Sequence, residues 1–456
     1  MKILILGAGQ VGRTVARHFS REEANDVTVV DIDEDVLRDL QDRLDVHTVA
    51  GNAAHPGVLQ AAGAAEADIL VALTSSDEVN MVACEVAFCL FRTPTKIARI
   101  RSAAYTGRPQ LFGEQAIAVD VFISPEQLVT ENLEQLIRHP GALQVLEFAG
   151  GTVRLAGARA ERGGSMTGRR LRELPDHLQG VEARVVAIYR GSRGVPAVGD
   201  TVIEEGDEVF FLAARDDLHR VIVALRKESA RLRRVVIAGG GNIGLRLARA
   251  LEDTAQIKLI EHDTRRARLA SEQLENTIVL AGDAADEELL IEENIDSADV
   301  FAAVTNSEEA NILSAMLAKR LGARKVMALV NRPSYVDLIE SGSIDVAIAP
   351  QIITIGSLLT HVRRGELVRV YSLRRGAAEA IEAIARGEEG SSRVVGRMVG
   401  EIELPEGAAI GAIVRGERLI VAHHDTSIQA NDHVILFLPD RRHIEAIEHL
   451  FTRAAP

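Results

Sequence analysis

The chain has 456 residues, too long for one ordinary core, and 47% of them are apolar, enough for compact folding throughout. Its net charge of −14 argues against a nucleic-acid partner, whose phosphates need a basic face, and against direct lipid binding at an anionic leaflet. No run reaches the roughly 20 uninterrupted apolar residues that span a bilayer.

The first residues run into a strand, Ile3-Leu4-Ile5-Leu6, with no signal-peptide succession. Gly7-Ala8-Gly9-Gln10-Val11-Gly12 follows at once and opens a helix. In such a loop the first glycine permits the turn, the second lets backbone approach a pyrophosphate, and the third lets helix pack on strand. The helix N-terminus then faces the anion. Val27-Thr28-Val29-Val30-Asp31 reads as the second strand, and Asp31 lies where a carboxylate meets ribose hydroxyls. A carboxylate there repels a 2′-phosphate, so NAD is expected over NADP. Asp33 reads either as part of the site or as a solvated helix start.

Gly51-Asn52-Ala53-Ala54 is a further glycine-bearing segment, and Ala67 to Thr74 forms the fourth strand. Thr74 and Ser75 stand where strand ends face the ligand crevice; the alternative is helix capping, with Ser75 or Ser76 before Asp77-Glu78. The apolar stretch Val79 to Phe91 carries Cys84 and Cys89, which read as two buried small hydrophobes; a disulfide framework is excluded and a reducing cytoplasm fits. Lys96-Ile97-Ala98-Arg99-Ile100-Arg101 places Arg99 and Arg101 on one strand face. They either reach terminal phosphates or pair with carboxylates and solvent. After Val119 to Pro125, a helix carries the stripe Val129, Leu133, Leu136 and Ile137. It packs either on its own sheet or on a neighbouring subunit. Residues 141–225 are short, β-rich and turn-rich: Arg184 to Tyr189 enters a hairpin at Gly191-Ser192-Arg193-Gly194, and Gly206-Asp207 precedes another strand.

The pattern then repeats. Val235 to Ala238 leads into Gly239-Gly240-Gly241-Asn242-Ile243-Gly244, Ile257 to Glu261 matches the acid-ended strand, and Gly282-Asp283-Ala284-Ala285 matches Gly51 to Ala54. Ala298 to Thr305 matches the fourth strand, Ile344 to Pro350 the last, and Ile352, Ile355, Leu358, Leu359 and Val362 form the second stripe. Leu329 and Asn331 stand at the positions of Arg99 and Arg101, so the second pocket is expected to tolerate less phosphate charge. Gly411 to Val414, Arg415-Gly416-Glu417 and Arg418 to Ala422 form a second hairpin, with Asn431-Asp432 at the turn before the last strand.

The fold expected is α/β: two Rossmann-like, doubly wound parallel sheets, each followed by a small β-rich α+β lobe, with boundaries at 1–137, 138–228, 229–362 and 363–456. The signature reads adenine ribose and phosphates, which NAD, ATP, ADP and AMP share. No catalytic constellation accompanies it: no Walker lysine, no nucleophile elbow, and His423-His424 lacks partners at metal-ligand spacing and reads as surface. His55 and His262, near the pocket edges, are weak evidence for chemistry. The competing functions are an NAD-dependent oxidoreductase with an unrecognised substrate site and a nucleotide-sensing transcription factor.

Gly7 to Gly12, Thr74 to Cys84 and Ile97 to Ser102 resemble the TrkA family of regulatory subunits of bacterial Trk potassium uptake, and the resemblance covers essentially the whole chain. It implies a non-enzymatic, peripheral protein on the cytoplasmic face of the cell membrane, built of two RCK modules. It also implies a homotetrameric ring beneath a TrkH-type membrane subunit, and binding of NAD(H), with ATP and ADP as regulatory ligands. Carried over by motif, the first site comprises Gly7, Ala8, Gly9, Gln10, Val11, Asp31, Gly51, Asn52, Thr74, Arg99 and Arg101. The second comprises Gly239, Gly240, Gly241, Asn242, Ile243, Glu261, Gly282, Asp283 and Thr305.

Overall fold

The computed structural model describes residues 1–21, 24–113, 116–191, 193–226, 232–332, 335–336, 344–362, 366–373 and 378–452. Ser192 of the first hairpin, the expected boundary at 228/229 and residue 363 lie outside them, as do the side chains of Leu359 and Val362. The chain forms two compact units, Met1–Leu128 with Pro350–Leu358, and Val129–Ala349 with Leu359–Pro456.

The first unit holds one parallel sheet of order β3-β2-β1-β4-β5-β6. Its strands are β1 (Lys2–Leu6), β2 (Asp26–Asp31), β3 (His47–Ala50), β4 (Ile69–Ala72), β5 (Thr95–Arg99) and β6 (Val121–Ile123). The central strands are apolar throughout, as a sheet covered on both faces requires: Ile3 to Leu6 and Leu70 to Ala72 are all buried. Helices α1 (Gln10–Phe19), α2 (Glu34–Gln41) and α3 (Asp77–Val86) follow β1, β2 and β4. Cys84 is buried in this core, and burial pushes its thiol up to about 12. Cys89 departs from the sequence expectation: it is exposed, with its Sγ donating to Glu85 Oε1 at 3.2 Å. The helix has widened into a π-turn over Ala87–Phe91, which turns this position outward.

The second unit contains a crossover helix, α4 (Pro125–Arg138), from Val129 onward, and a first small antiparallel sheet of order β10-β9-β11-β8-β7. Its strands are β7 (Ala142–Phe148), β8 (Val153–Arg159), β9 (Ala183–Arg190), β10 (Arg193–Val195) and β11 (Glu208–Ala214). A second parallel sheet of order β14-β13-β12-β15-β16-β17 repeats the first. It is made of β12 (Arg234–Ala238), β13 (Gln256–Glu261), β14 (Thr277–Ala281), β15 (Val300–Ala303), β16 (Lys325–Leu329) and β17 (Val346–Ile348). Helices α5 (Asn242–Leu251), α6 (Thr264–Gln273) and α7 (Glu308–Arg320) match α1 to α3, and α8 (Pro350–Val362) is the second crossover. The last sheet, read from its far edge, has the order of the first small one: β18 (Leu367–Leu373), β19 (Ala378–Ile384), β22 (His433–Leu438), β20 (Ala409–Arg415) and β21 (Arg418–Val421).

The two small sheets share one core, in which Phe148, Leu155 and Leu212 meet Ala380, Val414 and Ile435. Gly411 permits the approach, since a Cβ there would lie 2.5 Å from Leu212 Cδ1. The Phe148 and Tyr371 rings meet edge to face at 5.2 Å, and the Tyr371 hydroxyl donates to the Glu147 carbonyl. Each sheet is closed at the same corner by a buried aspartate. Asp207 accepts Arg190 Nε and Nη2 and the Glu204 amide; Asp432 accepts Arg415 Nε and Nη2 and the Gln429 amide. The residues before them, Gly206 and Asn431, take φ of +89° and +67°, which is why the sequence shows Gly-Asp and Asn-Asp there.

The crossover helices do not pack on the sheet of their own half. Val129, Leu133, Leu136 and Ile137 are buried within the second unit. There Lys325, at the start of β16, donates to the carbonyls of Leu136 and Ala142, and Arg138 donates to Ala250 O. Conversely, Pro350–Leu358 packs in the first unit, where Gln351, Thr354 and Leu358 are the buried face while Ile352 and Ile355 are half-buried. Each crossover helix thus docks on the other half of the duplication.

Two outcomes follow from these contacts. Replacing Asp432 by Ala strands the Arg415 guanidinium and the Gln429 amide, so denaturant titration is expected to show a loss of about 2–4 kcal/mol. His139, at the end of α4, is pushed down to about 4 by burial and by the adjacent Arg154 guanidinium. The unfolded chain therefore takes up this proton first as pH falls from about 6.5 to about 4, and stability drops through that window. His139→Gln is expected to lose less stability than the wild type between pH 7 and pH 5, measured by chemical denaturation.

Candidate nucleotide sites at the strand ends

Both glycine loops take the same backbone form. Gly7 and Gly239 have φ of +102° and +111°, and a Cβ on either would come within about 3.0 Å of the backbone of Thr74 or Thr305. A Cβ on Gly12 or Gly244 would lie 1.9 or 1.8 Å from the carbonyl oxygen of Gly7 or Gly239. By contrast, Gly9 and Gly241 have nothing within 4 Å, so space lies open beside them. Gln10 and Asn242 begin their helices exposed, followed by the half-buried Val11 and Ile243. Neither α1 nor α5 has a capping side chain or an acid in its first turn, whereas α2 and α3 have both. Their first amides are left for an anion.

The acids are tied to these loops. Asp31 accepts the Ala8 amide on Oδ2 and the Asp33 amide on Oδ1. Glu261 accepts the Gly240 amide at 2.7 Å and the Asp263 amide at 2.9 Å. Its extra methylene fits because position 240 is glycine, where a Cβ would lie 3.0 Å from Glu261 Oε2. Asp33 and Asp263 cap α2 and α6. Gly51 and Gly282 bond back to the carbonyls of Asp31 and Glu261, and the Asn52 and Asp283 side chains accept the Ala54 and Ala285 amides in turns.

Thr74 and Thr305 sit at the sheet ends but are held by buried asparagines. Thr74 donates its amide and hydroxyl to Asn80 Oδ1, whose Nδ2 donates to the carbonyls of Thr74 and Arg99. Asn311 does the same for Thr305 and Leu329. Ser76 and Ser307 are the helix caps. Both asparagines are fully buried, and sequence inspection missed them; their fixed place four residues past a capping serine was the available signal.

Arg99 ends β5 and pairs with Glu126 at 3.2 Å, while Arg101 lies beyond the strand against the buried Asp77. Among the described residues the buried Nε of Arg99 has no acceptor. The second copy has Leu329 and Asn331 at these positions, yet Arg332 supplies a guanidinium one residue later, 3.6 Å from Glu308 and over the Tyr335 ring. Arg13, also missed, donates to the Ala8 carbonyl from inside α1. His55 caps a short helix through its backbone, and His262, His423 and His424 are exposed. Among the described residues no three metal-ligating side chains cluster, and no helix is long and apolar enough to cross a membrane.

A duplicated Rossmann-like lobe, each copy followed by a small antiparallel lobe, defines a tandem nucleotide-binding architecture. Residues 3–125 and 235–350 match the TrkA-N domain, and residues 156–226 and 388–452 match the TrkA-C domain. The chain is 57% identical to the Trk system potassium uptake protein TrkA of Halomonas elongata, over 99% of this chain and 98% of that one. It is 54% identical to the protein of that name from Vibrio alginolyticus, again over 99% and 98%. The chain belongs to the TrkA family. In fold it is similar to the GsuK RCK domain (TM-score 0.63, 17% identity, 99% of this chain and 94% of that one). It is similar too to the GsuK channel bound to NAD (TM-score 0.62, 18% identity, 99% and 78%).

Asn80→Ala and Asn311→Ala are each expected to cost about 2–4 kcal/mol, because the buried carbonyls and threonine amide lose their partner. Thermal or denaturant unfolding of the two single variants checks this.

Proposed function

We propose that the chain is the peripheral regulatory subunit of a Trk-type potassium transporter, on the cytoplasmic face of the membrane, and not an enzyme. Adenine nucleotides, NAD(H) together with ATP and ADP, occupy both glycine-loop sites, through the twenty residues named above. The observation that carries this is the twofold occurrence of a bare helix N-terminus, an open glycine and a carboxylate tied to the same loop. A carboxylate has about four lone-pair positions, and backbone amides use two, so two remain for ribose hydroxyls. In the first site Arg99 and Arg101 stand at the strand end where phosphate charge would gather, with the Arg99 Nε still available. Family membership supports the partner, a TrkH-type membrane subunit beneath which four copies form a ring. We divide the chain into lobes at 1–137, 138–228, 229–362 and 363–456.

A nucleotide moves such a ring only by binding one arrangement better than another, and a coupling of about 1–3 kcal/mol is ordinary. The test is potassium flux through the reconstituted complex with NADH, NAD, ATP and ADP, alongside calorimetric titration. Asp31→Ala and Glu261→Ala are each expected to remove one binding site and to blunt the flux response. Flux that ignores nucleotide in the wild-type complex would refute the proposal.

A further inference from the structure

The two sites share one backbone design but carry opposite charge beside the ribose carboxylate. From the residue after Asp31, positions 32–38 hold three acids and one base, Ile-Asp-Glu-Asp-Val-Leu-Arg. The matching positions 262–268 hold one acid and three bases, His-Asp-Thr-Arg-Arg-Ala-Arg. The framework is otherwise the same: each carboxylate accepts the amide two residues on, and that residue, Asp33 or Asp263, caps the following helix. Charge, not geometry, separates the copies.

The basic set stands against the helix dipole. Cations in a first turn face the positive end of the helix and are disfavoured there. α2 obeys this with Glu34 and Asp35, whereas α6 opens with Thr264, Arg265 and Arg266 and has no acid in its first turn. The cap relieves part of the conflict, since the Arg266 amide holds the Asp263 carboxyl below the usual carboxylate range. Arg268 pairs with Glu272, but among the described residues Arg265 and Arg266 form no ion pair. Both are exposed, so neither serves the core. An Arg beside the ribose acid position is also the group that accommodates a ribose phosphate in dinucleotide-binding folds.

Resting on the assignment of both crevices to adenine nucleotides, we infer that the second site accepts an adenosine whose ribose carries a phosphate, with Arg265 and Arg266 as its counter-charges, while the first rejects it. Asp31 and Glu261 are alike in holding two loop amides each, so the difference between the sites lies in the charge of the turn that follows. The acids at 33–35 give the first site no such counter-charge.

The test is calorimetric titration of the full chain, and of its Asp31→Ala and Glu261→Ala variants, with AMP, adenosine 2′,5′-bisphosphate and adenosine 3′,5′-bisphosphate. The expected result is AMP binding at both sites, with at least one bisphosphate binding the Glu261 site about tenfold tighter than AMP, a gain typical of a charge-assisted contact. The bisphosphate that gains identifies the ribose position. Arg265→Glu with Arg266→Glu is expected to bring that bisphosphate to AMP's affinity or below. AMP binding at both sites with both bisphosphates weaker at each overturns the inference and leaves the nucleotide assignment intact. No AMP binding that responds to Glu261→Ala removes the assignment of the second site, and the inference with it.

Discussion

The structure depends first on a steric constraint repeated twice: a backbone turn with φ near +100° wedged against the end of the fourth strand. Gly7 and Gly239 meet the backbone of Thr74 and Thr305 so closely that no side chain fits. That contact fixes the distance between the first and fourth strands, and Gly12 and Gly244 fix the helix on the same loop. Once loop, helix and strand are locked, no side chain among the described residues caps the helix start. The carboxylates of Asp31 and Glu261 satisfy one loop amide each, and space lies open beside Gly9 and Gly241. A helix start suited to an anion is thus a consequence of packing that the lobe needs in order to fold.

Much of this was legible in the chain because the signals are local. A glycine turn between an apolar strand and a helix has one structural solution, and two copies with matching acid-ended strands leave little freedom. The corners of the small sheets were legible for the same reason, since Gly206 and Asn431 need positive φ and the aspartates after them are anchored by nearby strands. What was not legible is long-range. An apolar stripe on a helix does not name the surface it meets, so the exchange of crossover helices between the halves was invisible, and the second helix buries Gln351 and Thr354 rather than its isoleucines. Asn80 and Asn311 look like ordinary helix-surface residues until the neighbouring strand is in place. Arg332 escaped notice because its guanidinium comes from one position later than Arg101.

The duplication has been kept where geometry requires it and has drifted where only charge is at stake. Glycines, capping serines, buried asparagines and corner aspartates recur in both halves with the same partners. The groups around the crevices do not. Arg99 and Arg101 face Leu329 and Asn331 across the repeat, and the acidic turn after Asp31 faces a basic one after Glu261. Packed interiors tolerate little change in volume, while solvated charges near a crevice are free to follow the ligand. Two pockets of one backbone design therefore differ in the charge at their rims.

Sensing must also leave the pocket, and α1 offers a route. Its first turn carries the loop amides, and one turn further on the Thr14 hydroxyl shares its proton between Gln10 O at 2.7 Å and Gln351 Oε1 at 3.1 Å, at the start of α8. Helix α1 is thus joined to a buried glutamine of the same unit. Helix α8 is divided, with Pro350–Leu358 in the first unit and its last turn in the second. Differential nucleotide affinity for alternative arrangements is the physical requirement for a regulatory subunit.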